Sequence, residues 1–190
     1  MRRARSESSN LLSYMFQEEN PVKINLRDYS PEDWTTLKHI ILNAENFGEV
    51  FLESEKLKIM VFTAHPEFGR VLVAEDTENK QILGYASVMI EWKALVITSI
   101  ITRHESLRRG VGRSLIQGIK DLAQLLPLID VIRVDTGDFM DYAQEFYKSC
   151  GFLSVGLIPH YMSWHNNQVF FVYPVEKRMV SNENGAEGEI

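Results

Sequence analysis

Apolar and polar positions along the chain change period repeatedly, and each change marks an element. Lys23–Tyr29 alternates, with Ile24 and Leu26 on one side, and predicts a strand. Ser30-Pro31-Glu32-Asp33 follows as a helix start, with Ser30 the expected cap, Pro31 at the first helical position and Asp33 favourable to the dipole. Trp34, Leu37, Ile41 and Ala44 mark one helix face, and a second helix is predicted over about 49–63. Val71–Glu75 and Ile82–Glu91 read as strands joined by the polar turn Asp76–Lys80. Ala94–Thr102 is β-branched and uncharged, as expected of a central strand buried on both faces. Val111, Leu115, Ile119, Leu122 and Leu126 recur at helical spacing until Pro127 stops them. Val131–Asp135 predicts a short strand. Phe139, Ala143, Phe146 and Cys150 form a second helical stripe ended by Gly151, a left-handed terminator. Phe152–Ile158 and Val169–Val175 close the chain as strands. The order predicts an α/β fold: a mixed central sheet of about seven strands with helices on both faces.

At 190 residues the chain is long enough for one domain. The expected folded unit is 21–180, between a flexible tail at 1–20 and an acidic, disordered tail at 181–190. The apolar stretch Leu11–Phe16 is too short for a signal peptide and is followed by Glu18 and Glu19. No stretch reads as a membrane span, since the uncharged run 149–175 is broken by Gly151, Gly156 and Pro159. The lone Cys150 excludes an intrachain disulfide, which suits a cytoplasmic location. A formal charge of −6 and a pI near 5.4 argue against a nucleic-acid partner. Against that acidic background, Arg103–Lys120 carries five basic residues and one acid, Glu105. The island is either a site for a small anion or a solvated basic face.

Leu107-Arg108-Arg109-Gly110-Val111-Gly112-Arg113-Ser114-Leu115 lies between the buried strand and the amphipathic helix. Glycines here allow close backbone approach, and a helix start offers free N–H groups to an anion. Two phosphate-binding patterns fail. The Gly-x-x-x-x-Gly-Lys-Ser/Thr loop and the dinucleotide fingerprint each need a glycine at 115, which is leucine. No His/Cys grouping has zinc-like spacing, so no metal is expected. Cys150 falls on an apolar stripe and reads as core. His39 and His65 read as surface or loop residues, and His160 and His165 fall in the last hairpin connection.

These segments together resemble the GNAT N-acetyltransferases. Gly110-Val111-Gly112-Arg113-Ser114-Leu115-Ile116 matches that family's Gly-Ile-Gly-x-x-Leu-Leu. Ala143-x-x-Phe146-Tyr147-x-x-x-Gly151-Phe152 matches its Ala-x-x-Phe-Tyr-x-x-x-Gly-Phe. Leu83-Gly84-Tyr85-Ala86 and Ile100-Ile101-Thr102 match its third and fourth strands. The resemblance covers most of 22–176. It departs at Leu107, where Gln or Arg is usual, and at Met140, where Asn is common.

The resemblance implies the GNAT fold and acetyl transfer from acetyl-CoA to a primary amine, on a small molecule or a protein. It implies pyrophosphate on the loop Arg108, Arg109, Gly110, Val111, Gly112, Arg113 and Ser114, and the pantetheine arm along Ile100, Ile101 and Thr102. Tyr147 is the implied proton donor to the leaving thiolate. Asp135 is the expected base, with Glu91 second and a water chain as an alternative. A lysine acceptor needs such help more than an α-amine, because only about one unperturbed lysine in several thousand is neutral near pH 7. His104 lies beside the loop. A homodimer is frequent in the family. The competing expectation is a non-catalytic acyl-CoA-binding module of the same fold.

Overall fold

The computed structural model describes residues 22–44, 49–163 and 165–176. The expected tails 1–20 and 181–190 lie outside the described residues. Seven strands form one sheet: β1 (Ile24–Asp28), β2 (Gly69–Asp76), β3 (Ile82–Glu91), β4 (Ala94–Thr102), β5 (Val131–Gly137), β6 (Leu153–Ser163) and β7 (Asn166–Pro174). The helices are α1 (Trp34–Leu42), α2 (Glu49–Ala64), α3 (Val111–Leu125) and α4 (Asp141–Ser149). The sheet order is β1-β2-β3-β4-β5-β7-β6, antiparallel except for β4 beside β5.

Two cores lie on opposite faces. Leu37, Ile40 and Ile41 of α1 and Leu52, Ile59 and Phe62 of α2 pack on Val71, Val73, Tyr85 and Ile101. On the other face, Val111, Leu115, Ile116 and Ile119 of α3 pack on Leu83, Val88, Leu95 and Ile97. The same core continues through Ile132, Tyr147, Phe152 and Phe171.

Several local expectations change in the fold. Pro31–Asp33 is a single 3-10 turn ahead of α1. Ser30 is the cap of that turn as expected, and the Asp33 carboxylate completes a capping box by accepting the Ser30 N–H at 2.8 Å. Arg27 donates two further bonds to that carboxylate, at 2.7 and 2.9 Å. β5 runs on to Gly137, so Asp135 lies inside the strand rather than at its end. The last two strands extend toward each other, which places His160 and Tyr161 in β6 rather than in a connection. Phe139 precedes α4 and is exposed. The buried residue of that helix is Tyr147, one position from the expected stripe.

The edge strand β6 exposes Leu153, Val155, Leu157, Ile158 and Tyr161. Among the described residues, no helix is long and apolar enough to cross a membrane.

Candidate active site

Two features of β4 create an opening in the sheet. β4 and β5 pair only at Ala94↔Val131, Leu95↔Ile132 and Val96↔Arg133, and beyond these residues the two strands part. From Ile97 onward, β4 therefore has a β5-facing edge with no ladder partner among the described strands, leaving backbone groups that need other partners. β4 also carries a bulge. Ser87 pairs with Ser99 and Val88 with Ile97, so Thr98 is the extra residue. A one-residue insertion exchanges the faces of all following side chains. Leu95 and Ile97 face α3, whereas Ser99 and Ile101 are turned toward α1 and α2.

At the open end of this gap the chain turns into α3. Arg108 and Gly110 both adopt positive φ, +61° and +86°. Gly110 is the residue before the helix, and no atom lies within 4 Å of where its Cβ would stand, so conformation rather than space calls for glycine there. Ser114 N–H is bonded back to the Gly110 carbonyl at 2.9 Å. The amides of Val111, Gly112 and Arg113 precede the first such helical bond and are open to an anion, aided by the helix dipole. Gly112 has a different reason. A Cβ there would stand 3.1 Å from the Phe146 ring, so its absence lets α3 meet α4.

The basic island divides between structure and site. Arg113 donates to the Ser149 carbonyl and hydroxyl at 3.1 and 3.2 Å. Lys120 donates to the Cys150 carbonyl at 2.7 Å and stands over the Tyr173 ring at 3.8 Å. Both cations thus sit at the carbonyl-rich end of α4, where the helix dipole favours them. Arg103 Nε bonds the Ile82 carbonyl at 3.2 Å. Arg108 and Arg109 remain beside the helix start.

Tyr147 is fixed by the way α4 ends. Phe152 N–H bonds the Tyr147 carbonyl at 3.1 Å, Gly151 N–H bonds that of Lys148 at 2.9 Å, and Gly151 has φ +85°. This is a Schellman motif, and its usual apolar contact is the pairing of the Tyr147 and Phe152 rings, 5.8 Å apart. The Phe-Tyr-x-x-x-Gly-Phe signature is therefore a helix stop that holds one tyrosine. Phe146 and Phe171 complete the box around its ring at 5.4 and 5.9 Å. Burial, reinforced by the Asp135 carboxylate, raises the Tyr147 phenol above its ordinary value and keeps it protonated.

Asp135 stands two residues past the last β4–β5 pair, within the opened stretch. Burial raises its carboxyl, opposed by Arg133, and Gln168 Nε2 donates to it at 3.2 Å. Glu91 lies at the closed end, opposite Ala94, and is bound to Arg133. Met140 caps α4, where its sulfur accepts from the Thr136 hydroxyl at 3.5 Å. Asn167 ties Asp138 at 2.7 Å and accepts the His160 N–H at 3.2 Å. His39 and His104 line a separate groove of about 340 Å³ whose walls are α1 and the turn after β4, with none from β5 or α4.

One polar group escaped the sequence reading. Glu55 of α2 is fully buried; its carboxylate accepts from Tyr85 at 2.9 Å and from Ser99 at 2.6 Å. Lys58 is ion-paired with the same carboxylate and donates to Ser99 Oγ at 3.0 Å. The available signal was an acid on the apolar stripe Leu52, Ile59, Phe62. No group of three or more potential metal ligands occurs among the described residues.

A parallel strand pair parted around a gap, with a glycine-bearing helix start at its mouth and a buried tyrosine at its side, makes up the candidate site. The family model described as Acetyltransferase (GNAT) family matches residues 26–152, and the chain belongs to that family of N-acetyltransferases. A putative acetyltransferase of the GNAT family from Desulfovibrio desulfuricans is 14% identical, with 81% of this chain and 100% of that one covered at a TM-score of 0.73. The spermidine N-acetyltransferase from Vibrio cholerae, in complex with CoA and spermine, is 20% identical, covering 81% and 96% at 0.66. The ribosomal-protein-S18-alanine N-acetyltransferase from Escherichia coli is 15% identical, covering 84% and 98% at 0.63. At these identities the likeness is one of fold. Among curated proteins the sequence finds no match.

Proposed function

We propose that the protein transfers an acetyl group from acetyl-CoA directly to a primary amine, on a small molecule or at a peptide or protein amine. The parting of β4 from β5, with Tyr147 and Asp135 beside the gap, carries this reading. The amides of Val111, Gly112 and Arg113, with Arg108, Arg109 and Ser114 around them, receive the pyrophosphate. The free edge of Ile100, Ile101 and Thr102 pairs with the amides of the pantetheine arm and offers an N–H to the developing oxyanion.

The amine attacks the thioester carbonyl carbon, the C–N bond forms and the C–S bond breaks. Asp135 takes the proton lost by the amine, and its burial-raised carboxyl suits that task. The thiolate takes the Tyr147 proton, which burial keeps on the phenol up to that point. CoA should raise the melting temperature through linkage. Thiol release from acetyl-CoA, measured against polyamines, lysine derivatives and N-terminal peptides, should reveal an acceptor. CoA binding without turnover on any of them would favour the non-catalytic module.

A further inference from the structure

We propose that Lys58 is a self-acylation site, its side-chain amine taking the acyl group of a bound acyl-CoA with Glu55 as proton acceptor. The proposal rests on the donor site described above and adds an acceptor within the chain. Three observations meet at Lys58. Its Nζ lies 3.0 Å from Ser99 Oγ. Ser99 belongs to the stretch of β4 that has lost β5 and adjoins Ile100–Thr102, the edge assigned to the donor. By strand register, Val96 lies level with Arg133, so Ser99 lies level with the Asp135–Thr136 region across the gap. Lys58 thus reaches the opened stretch of β4 from α2, on the sheet face opposite the core that holds Tyr147.

The second requirement is loss of a proton. Glu55 touches the ammonium, and its other oxygen is held by Tyr85, so the carboxylate is aimed at Nζ rather than free to rotate. A buried ion pair adds little net stability over an apolar replacement. The Tyr85 and Ser99 hydroxyls already satisfy Glu55 without the lysine. The Lys58 side chain keeps 25% of its surface exposed, so the ammonium can leave the carboxylate without dragging the core.

The step balances. One N–H proton of the Lys58 ammonium passes to Glu55, and the nitrogen lone pair attacks the thioester carbon. The N–C bond forms, the C–S bond breaks, the thiolate leaves with the Tyr147 proton, and the second proton, lost by the acylated nitrogen, returns to the Tyr147 phenolate through solvent. An amide at Lys58 and a free CoA thiol result.

The test needs no knowledge of the natural acceptor. Purified full-length protein is incubated with acetyl-CoA, and lysine peptides are followed by mass spectrometry. Lys80 and Lys93, exposed on turns at 69% and 55%, report the chemical background. The expected result is one acetyl unit on Lys58, accumulating at least about tenfold faster than on those two and slowed about as much by Tyr147→Phe. Glu55→Gln should slow it similarly. Lys58→Arg, which keeps a cation against Glu55, should abolish the label while retaining the thermal shift with CoA. A protein that shifts with CoA but labels Lys58 no faster than Lys80 and Lys93 overturns the proposal. Absence of any CoA shift refutes the donor site itself, and this inference with it.

Discussion

Replacing Gly151 by alanine tests whether a helix stop holds the tyrosine in place. Gly151 has φ +85°, where an L side chain costs about 1–2 kcal/mol. Alanine also narrows the unfolded ensemble, which returns about 0.4–1 kcal/mol. No steric cost is added, because the nearest atoms to a Cβ are Tyr173 Cε2 at 3.6 Å and Lys120 Nζ at 3.9 Å. The net loss is therefore between about zero and 1.6 kcal/mol, about 0.8 at the midpoints. For a chain of this length that lowers the melting temperature by roughly 2–4 °C per kcal/mol. Urea unfolding should show a lower midpoint at an unchanged slope. Gly151→Asn, which tolerates the left-handed region, should recover most of the loss. A stabilising alanine, or a loss beyond about 3 kcal/mol, would refute the reasoning: the first would mean that the helix ends without the motif, the second that a clash dominates.

Tyr147→Phe keeps every ring contact, so unfolding should change little while acetyl transfer falls by about 10²–10⁴, with CoA affinity retained; activity within a few fold of wild type removes the donor role. Asp135 titrates above its ordinary 3.8, and its proton-accepting form is lost as pH falls through that raised value. The acid limb of kcat/KM should therefore lie above 3.8 and disappear in Asp135→Asn, whereas an unchanged limb assigns it to another group. Gly112→Ala should cost about 1–3 kcal/mol through contact with the Phe146 ring, and Phe146→Leu should relieve it; additive losses in the double-mutant cycle would place the strain elsewhere. Burial raises the Asp33 carboxyl, but bonds from Arg27 and the Ser30 amide outweigh it and hold the group below its ordinary value. That stability is present above the unfolded value and is lost as pH falls through the folded one, so Asp33→Asn should flatten the acid side of a urea-midpoint titration.

Much of the fold was legible because it rests on local periods. The alternation at Lys23–Tyr29, the polar turn at Asp76–Lys80 and the stripe Val111–Leu126 each bury one face of one element, and neighbouring residues suffice to reveal that. The Phe146-Tyr147-x-x-x-Gly151-Phe152 spacing was legible for the same reason, since a Schellman motif closes within one helical turn. The stripe itself misled by one position. Cys150 reaches the core as the stripe implies, but Phe146 is only partly buried and Tyr147 takes the core place beside it, because Phe152 and Phe171 arrive from β6 and β7 to box it.

The sequence by itself determined the class of element at nearly every stage, the glycine-bearing helix start, and the family, because each is written in residues close together along the chain. Only the tertiary structure decided how far β4 and β5 stay paired, which face Ser99 takes after the bulge at Thr98, and which cations of the basic island meet the end of α4 rather than the loop. Those outcomes depend on pairing and packing between distant segments. A one-residue bulge reverses a strand's faces without altering its composition. Glu55 shows the same division: its place on an apolar stripe could be read along α2, but its partners Tyr85 and Ser99 come from strands 30 and 44 residues away.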